Sequence, residues 1–250
     1  MRRTKFLPPL RRLSKQDVLD TIRDSYRFSR RFDPDTEDID LAFETTVGQW
    51  RDACDLLPAD RLGESLSIWF DALIDVYEWR ATLEPAETAT LGDVCELLAE
   101  RARVPGVEPL GICGTKCETA GAFLTIRSAL AREGAPVRGL RPSTPIETVA
   151  RSHLAELVRA LGIVAPNTLP LPKVEHRLAW RIGVWLVLAG LLATPVALFV
   201  RSLPPSLLAG ILLLAGFFAL RRAGGNPFRT ISFPGMTTFR DLTEAVIRRK

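Results

Sequence analysis

The sequence predicts a mainly α-helical protein, and three observations carry that expectation. Apolar residues recur at helical spacing through the first two-thirds of the chain, with helix start and stop residues bracketing each stretch. Two long uncharged runs then follow, 182–200 and 203–220, each of the length of a membrane span. The expected organisation is a basic segment 1–13, a helical domain 14–163, a Pro-rich linker 164–177, a transmembrane hairpin 178–220 and a tail 221–250 ending in an amphipathic helix.

Six helices are expected in the domain, at about 14–31, 37–57, 61–80, 90–103, 118–133 and 145–161. The second carries the clearest stripe: Ile39, Phe43, Val47, Trp50, Cys54 and Leu57, with Thr36 as its cap. The third reads Leu62, Leu66, Trp69, Leu73 and Val76, with Asp60 placed to cap it. Trp50, Trp69 and Trp79 are expected to fill a shared core, the alternative being an aromatic cage for a ligand. Thr90-x-x-Asp93 and Thr144-x-x-Glu147 resemble capping boxes, and Pro145 suits a first helical position because it has no N–H to satisfy. Gly134 and Gly162 follow the last two helices as stops. The stretches 104–116 and 134–143 are rich in Gly and Pro, with a short strand expected near 137–140. Pro166, Pro170 and Pro172 make the linker short and stiff.

The two apolar runs meet at Arg201-Ser202, with Pro204 and Pro205 opening the second. Lys173, Arg177 and Arg181 precede the first run, while Arg221, Arg222 and Arg229 follow the second. The excess of positive charge outside the turn predicts a two-span membrane protein with both termini cytoplasmic. Trp180, Trp185, Phe217 and Phe218 would lie at that interface. Ala189, Ala193 and Ala197 in the first run, and Ala209, Gly210, Ala215, Gly216 and Ala219 in the second, offer small faces for helix packing or oligomer formation. The runs hold no charge, and their hydroxyls are Thr194 and Ser206, which argues against a pore. Pro195 is expected to kink the first run. The start MRRTKFLPPLRR lacks the apolar stretch of a secretory signal, so four cysteines fit a reducing compartment better than a disulfide framework.

Charge is segregated along the chain. Residues 1–32 carry ten Lys or Arg against three acids, whereas residues 33–100 carry three Arg against eighteen Asp or Glu, a net of −15. Such a block repels phosphate backbones, so nucleic acid is not expected as a partner. The basic flanks are expected to lie near anionic lipid or to pair with the acidic block inside the fold.

One pattern recurs: Ser14-x-x-Asp17-Val18, Thr90-x-x-Asp93-Val94 and Thr238-x-x-Asp241-Leu242. A hydroxyl cap, an acid in the first turn and apolar contacts afterwards account for it as convergent helix starts, the alternative being a true internal repeat. The pattern also resembles the last helix of acyl carrier proteins. The Asp-Ser-Leu attachment site of that family has no counterpart here, since Asp24-Ser25-Tyr26 falls inside a helix, and no carrier function is inferred.

Chemistry is best sought at Gly111-Ile-Cys113-Gly-Thr-Lys116-Cys117-Glu118, just before the fifth helix. A helix start and a neighbouring lysine favour a thiolate, which makes Cys117, and less so Cys113, candidates for a reactive thiol supported by Lys116. Catalysis would also need a base, and the two histidines, His153 and His176, are not placed beside Cys117 by the sequence. The competing reading is a tight loop packed by small residues. Cys113 and Cys117 have no second ligand pair, so no metal is expected. Gly-Thr-Lys-Cys departs from a phosphate loop, which needs Ser or Thr after its Gly-Lys. Asp33-x-Asp35-x-Glu37 lacks the glycine of a calcium loop, Asp38 standing in its place. No cofactor is expected. These features predict a membrane-anchored scaffold, adaptor or regulatory protein without catalytic activity. Its partners would be the lipid bilayer and a protein with a basic surface; the alternative is a tethered enzyme or thiol sensor centred on Cys113 and Cys117.

Overall fold

The computed structural model describes residues 6–32, 38–54, 56–112, 114–176, 182–192, 210–211, 213–218, 221 and 228–249. Two compact units result: Met1–Leu171 with Phe233–Lys250, and Pro172–Ser232. Helices dominate the first unit, and three short antiparallel strand pairs occur among the described residues of the chain.

In the first unit, α1 (Lys15–Phe32) begins at a reciprocal cap. Asp17 N–H donates to Ser14 Oγ at 3.0 Å and Ser14 N–H to Asp17 Oδ2 at 3.1 Å. Val18, Leu19, Ile22 and Tyr26 form the buried stripe of α1. The next helix, α2 (Val47–Cys54), is shorter than the 37–57 expected. Thr46 and Gln49 cap each other at 3.1 and 3.2 Å, which starts the helix at Val47. Ile39 and Phe43 therefore pack on the core from the preceding turn, while Thr36 and Asp33 to Glu37 lie outside the described residues.

The expected helix 61–80 is two helices, α3 (Ala59–Phe70) and α4 (Val76–Leu83). Asp71 adopts a left-handed conformation (φ 53°) and its N–H closes α3 on Ile68 and Ser67 carbonyls; Asp75 then caps α4 through Tyr77 and Glu78 N–H. Asp60 is a first-turn acid, since Pro58 occupies the cap of α3. Trp50, Leu66, Phe70, Trp79 and Leu83 are buried together with α5 (Leu91–Arg101), whose Thr90–Asp93 capping box is complete.

Further along, α6 (Glu118–Arg132) ends before Gly134 (φ 87°), as the sequence predicts. The strand expected near 137–140 is instead a turn: Leu140 N–H reaches Val137 O at 3.2 Å, and Gly139 has φ 82°. Helix α7 (Ile146–Val164) departs from helical geometry at His153 and runs through Gly162 rather than stopping there. The missing side chain at Gly162 lets α1 approach, with Thr21 Oγ1 2.7 Å from Gly162 O. Pro145 is the cap residue of α7, not its first helical one. Strands β1 (Leu10–Arg11) and β2 (Val104–Pro105) pair, as do β3 (Leu110–Ile112) and β4 (Thr115–Cys117). The C-terminal helix (Phe239–Arg248) packs on α6 within this unit and buries Phe239, Leu242 and Val246.

Two of the three copies of the cap pattern, at Thr90 and Thr238, belong to a larger structural repeat. Ala42 to Thr45 and Arg141 to Thr144 form the same turn, with Ala42 N–H on Thr45 Oγ1 at 2.8 Å and Arg141 N–H on Thr144 Oγ1 at 2.9 Å. After each turn a helix start pairs with a distant helix start. Val47 N–H reaches Ala89 O at 2.8 Å and Leu91 N–H reaches Thr45 O at 2.9 Å; Ile146 N–H reaches Thr237 O and Phe239 N–H reaches Thr144 O, both at 3.0 Å. Thr90 and Thr238, the paired partners, carry matching capping boxes with Asp93 and Asp241. Thus α1, α2 and α5 are echoed by α6, α7 and the C-terminal helix.

In the second unit, β5 (Lys173–His176) pairs antiparallel with β6 (Phe228–Ser232). Residues 182–192 and 213–218 are helical, and they pack on each other through glycines. A Cβ on Gly190 would lie 2.7 Å from Leu213 Cγ, and one on Gly216 2.7 Å from Val187 Cγ2. Ala189 and Ala215, expected at that contact, are exposed instead. Neither of the two expected membrane spans is found among the described residues. No helix among the described residues is long and apolar enough to cross a membrane. The expectation of a two-span protein with cytoplasmic termini is corrected accordingly. Arg177, Trp180, Arg181, Thr194, Pro195, Arg201, Ser202, Pro204, Pro205, Ser206 and Arg222 lie outside the described residues.

Candidate functional site

The strongest surface feature of the first unit lies where α3 turns into α4. Because Asp71 ends one helix and Asp75 starts the next, Leu73 and Val76 lose their expected core positions. Leu73 is 94% exposed, Tyr77 78%, Ile68 75% and Val76 53%. Apolar side chains clustered at this level of exposure mark interaction surfaces more often than scattered single ones.

Beside this corner, α3 and α4 enclose an open groove of about 420 Å³. Ile74, Val76 and Trp79 give it an apolar floor, and Asp60 and Glu64 stand exposed at its edge with Arg61. The floor is held by a close approach between the helices. Trp79 Nε1 donates to Ser67 Oγ at 2.7 Å, and its ring sits where a Cβ on Gly63 would be, 2.5 Å from Trp79 Cγ. Asp71 and Asp75 add exposed carboxylates to the corner; Asp71 lies 3.5 Å from Arg132. Together these form an apolar tip within a mainly acidic rim.

Part of the acidic block is neutralised elsewhere by the basic N-terminal segment. Lys15 pairs with Glu96 at 2.8 Å, Arg23 approaches Asp40 at 4.0 Å, and Arg30 pairs with Asp38. This is the internal pairing the sequence offered as one fate of its basic flanks. Arg11 and Asp17, 3.0 Å apart, belong to the same segment.

The thiol candidates are only partly brought together. Lys116 and Cys117 lie on β4, opposite Gly111 and Leu110 of β3, while Cys113 lies outside the described residues. Lys116 is exposed, and Cys117 caps α6 half-buried, with no side-chain hydrogen bond to the helix start. His153 sits at the kink of α7 and His176 in β5. Burial pushes the Cys54 thiol up to about 11 and the Cys95 thiol up to about 12, so both are neutral packing groups near neutral pH. Among the described residues, no group of His, Cys, Asp and Glu could hold a metal ion.

Sequence reasoning missed the exposed quartet because Leu73 and Val76 fit the helical stripe of α3. A signal was present in Asp75-x-x-Glu78, a start pattern in the middle of that stripe. Comparison with protein-family models, with curated proteins and with solved structures finds no match for this chain.

Proposed function

We propose that the chain is a non-catalytic scaffold, adaptor or regulatory protein that binds a partner through the α3–α4 corner. The observation that carries this reading is the exposure of Leu73, Tyr77, Ile68 and Val76 beside a groove edged by Asp60 and Glu64. An apolar anchor entering the groove would leave water, while basic groups around it would meet the acidic rim. Complementary charge of that kind steers association and sets specificity. The partner is therefore a protein presenting apolar side chains flanked by Lys or Arg.

A synthetic amphipathic helix with one leucine face and one lysine face serves as the probe, titrated calorimetrically into the full chain. Binding is expected to weaken by at least tenfold as salt rises from about 0.1 M to about 1 M, because screening shortens from about 10 Å to about 3 Å. Leu73→Ser with Tyr77→Ser is expected to remove binding, and Asp60→Lys with Glu64→Lys to weaken it at low salt. Undiminished binding by both double variants would overturn the proposal.

A further inference from the structure

The basic, apolar stretch before α1 has the chemistry that the α3–α4 corner asks of a partner. Phe6-Leu-Pro-Pro-Leu-Arg-Arg12 sets two leucines around a Pro-Pro pair and ends on two arginines, and Arg2, Arg3 and Lys5 precede it in the sequence. Each proline fixes φ at about −65° and keeps the residue before it extended, so the stretch has little backbone entropy to lose on docking. Its far end is held in register: Leu10 and Arg11 pair with Pro105 and Val104 of β2, and Arg11 turns to Asp17. Leu10 and Arg12, on either side of Arg11, point the other way and are exposed. Leu7 is 78% exposed and Leu10 67%.

The two surfaces complement each other in charge and in apolar character. Residues 1–32 carry ten Lys or Arg against three acids, whereas the block that holds the corner, 33–100, has a net charge of −15. Asp60 and Glu64 edge the groove, and exposed Leu73 and Tyr77 stand beside it. Proline-stiffened segments dock on surfaces bearing aromatic rings, and flanking arginines gain from carboxylates at the rim. Within one chain the leucines of the segment and the apolar residues of the corner are both left in solvent, so a single copy does not close this contact. We infer that the partner of the corner is a second copy of this chain, whose 6–12 segment lays Leu7 and Leu10 on Leu73 and Tyr77 and brings Arg12 to Asp60 and Glu64. The inference rests on the corner being a docking site, as proposed above, and goes further in naming its occupant. The contact joins two different surfaces, so it propagates head to tail into rings or open chains unless two copies exchange segments reciprocally. One corner and one short segment make a small interface, for which dissociation in the micromolar range is expected.

Sedimentation velocity of the full chain between about 1 μM and about 100 μM tests this. The weight-average mass is expected to rise with concentration, and association to weaken by about tenfold when salt is raised to about 1 M, where screening falls to about 3 Å. Leu7→Ser with Leu10→Ser and, separately, Leu73→Ser with Tyr77→Ser replace exposed side chains, and each double variant alone should stay monomeric. Mixed in equal amounts, the two should form a one-to-one heterodimer and nothing larger, because each retains the surface that the other lacks. A peptide of residues 1–12 should bind the segment variant, whose corner is intact, and not the corner variant. A wild-type chain monomeric at about 100 μM, self-association that survives in either double variant, or a mixture that stays monomeric would each overturn the inference. Should the leucine–lysine helix still bind the corner in that event, the docking reading stands and the occupant is a different protein; should it not bind, both fail.

Discussion

Gly63 and Gly121 show how single atoms limit this fold. A Cβ on Gly63 would stand 2.5 Å from Trp79 Cγ, and one on Gly121 only 1.8 Å from the Glu108 carbonyl oxygen. Alanine at position 63 gains roughly 1 kcal/mol of helix propensity but must displace a buried indole from its bond to Ser67. Overpacking costs about 1–3 kcal/mol, so Gly63→Ala is expected to be net destabilising in urea unfolding. Gly121→Ala meets backbone that cannot rotate away and should cost more than Gly63→Ala. The capping aspartates set the response to acid. Hydrogen bonds from the Thr90 side chain and backbone hold Asp93 below the usual carboxylate value. Backbone N–H groups of Thr238 and Thr237, with the Thr237 hydroxyl, hold Asp241 down to about 2. At Asp17, burial works against ionisation, yet bonds from Ser14 and Arg11 outweigh it. A lowered folded pKa gives stability that is present above the unfolded value near 3.9 and is lost as pH falls through the folded one. Asp24 has the opposite sign: burial raises its pKa despite the Asn167 N–H and Arg27, so it favours folding more once protonated. Urea unfolding at stepped pH should therefore show stability falling below about pH 4. An Asp93→Asn, Asp241→Asn variant should start less stable and lose less over that window.

Among the elements, those fixed by adjacent residues were legible in the sequence. Thr90 with Asp93 defines the start of α5, and Gly134 the end of α6, because each cap acts within a few residues. Thr90→Ala is expected to cost about 1 kcal/mol, measured by chemical denaturation. Elements defined by a break inside a continuous apolar stripe were not legible. The joint between α3 and α4 depends on Asp71 adopting a left-handed conformation, which a non-glycine residue does not advertise. The stripe Ile39 to Cys54 was apolar at helical spacing because a turn, followed by a short helix, presents the same side chains to one core, while Leu57 is exposed. The apolar runs after residue 181 misled for a related reason, since hydropathy counts residues and leaves their helical extent open. In the described part of those runs, Gly216, one of the small residues chosen by spacing, makes a close contact, as does Gly190, whereas Ala189 and Ala215 are exposed. The candidate corner was hidden by the same joint.

In the first unit as a whole, two similar three-helix sets share one body. Each is fastened where two helix starts exchange backbone hydrogen bonds, and each accepts a different insertion between its second and third helices. Residues from α3 and α4 occupy the first interval; the strands β5 and β6 fall in the second. Contacts also join the sets: α1 packs on α7, and Arg249 after the C-terminal helix pairs with Asp20 of α1 at 3.0 Å. Phe239, wholly buried, anchors the late helix. Phe239→Ala is expected to cost about 3–5 kcal/mol. Because the sets touch, the loss should appear as one cooperative transition by circular dichroism and tryptophan fluorescence alike; two separated transitions would show the sets to be independent.

The wide gap in sequence between α7 and its closing helix also imposes a timetable on biosynthesis. The first set is complete once α5 has left the ribosome, but the second waits until Phe239 to Arg248 have been made. At about 5–20 residues per second, the roughly 75 residues from the end of α7 to Phe239 take about 4–15 s to translate. Throughout that delay the apolar face of α6 that receives the final helix stands open on the nascent chain, as a natural target for chaperones. A nonsense codon just before Phe239 would make that transient exposure permanent.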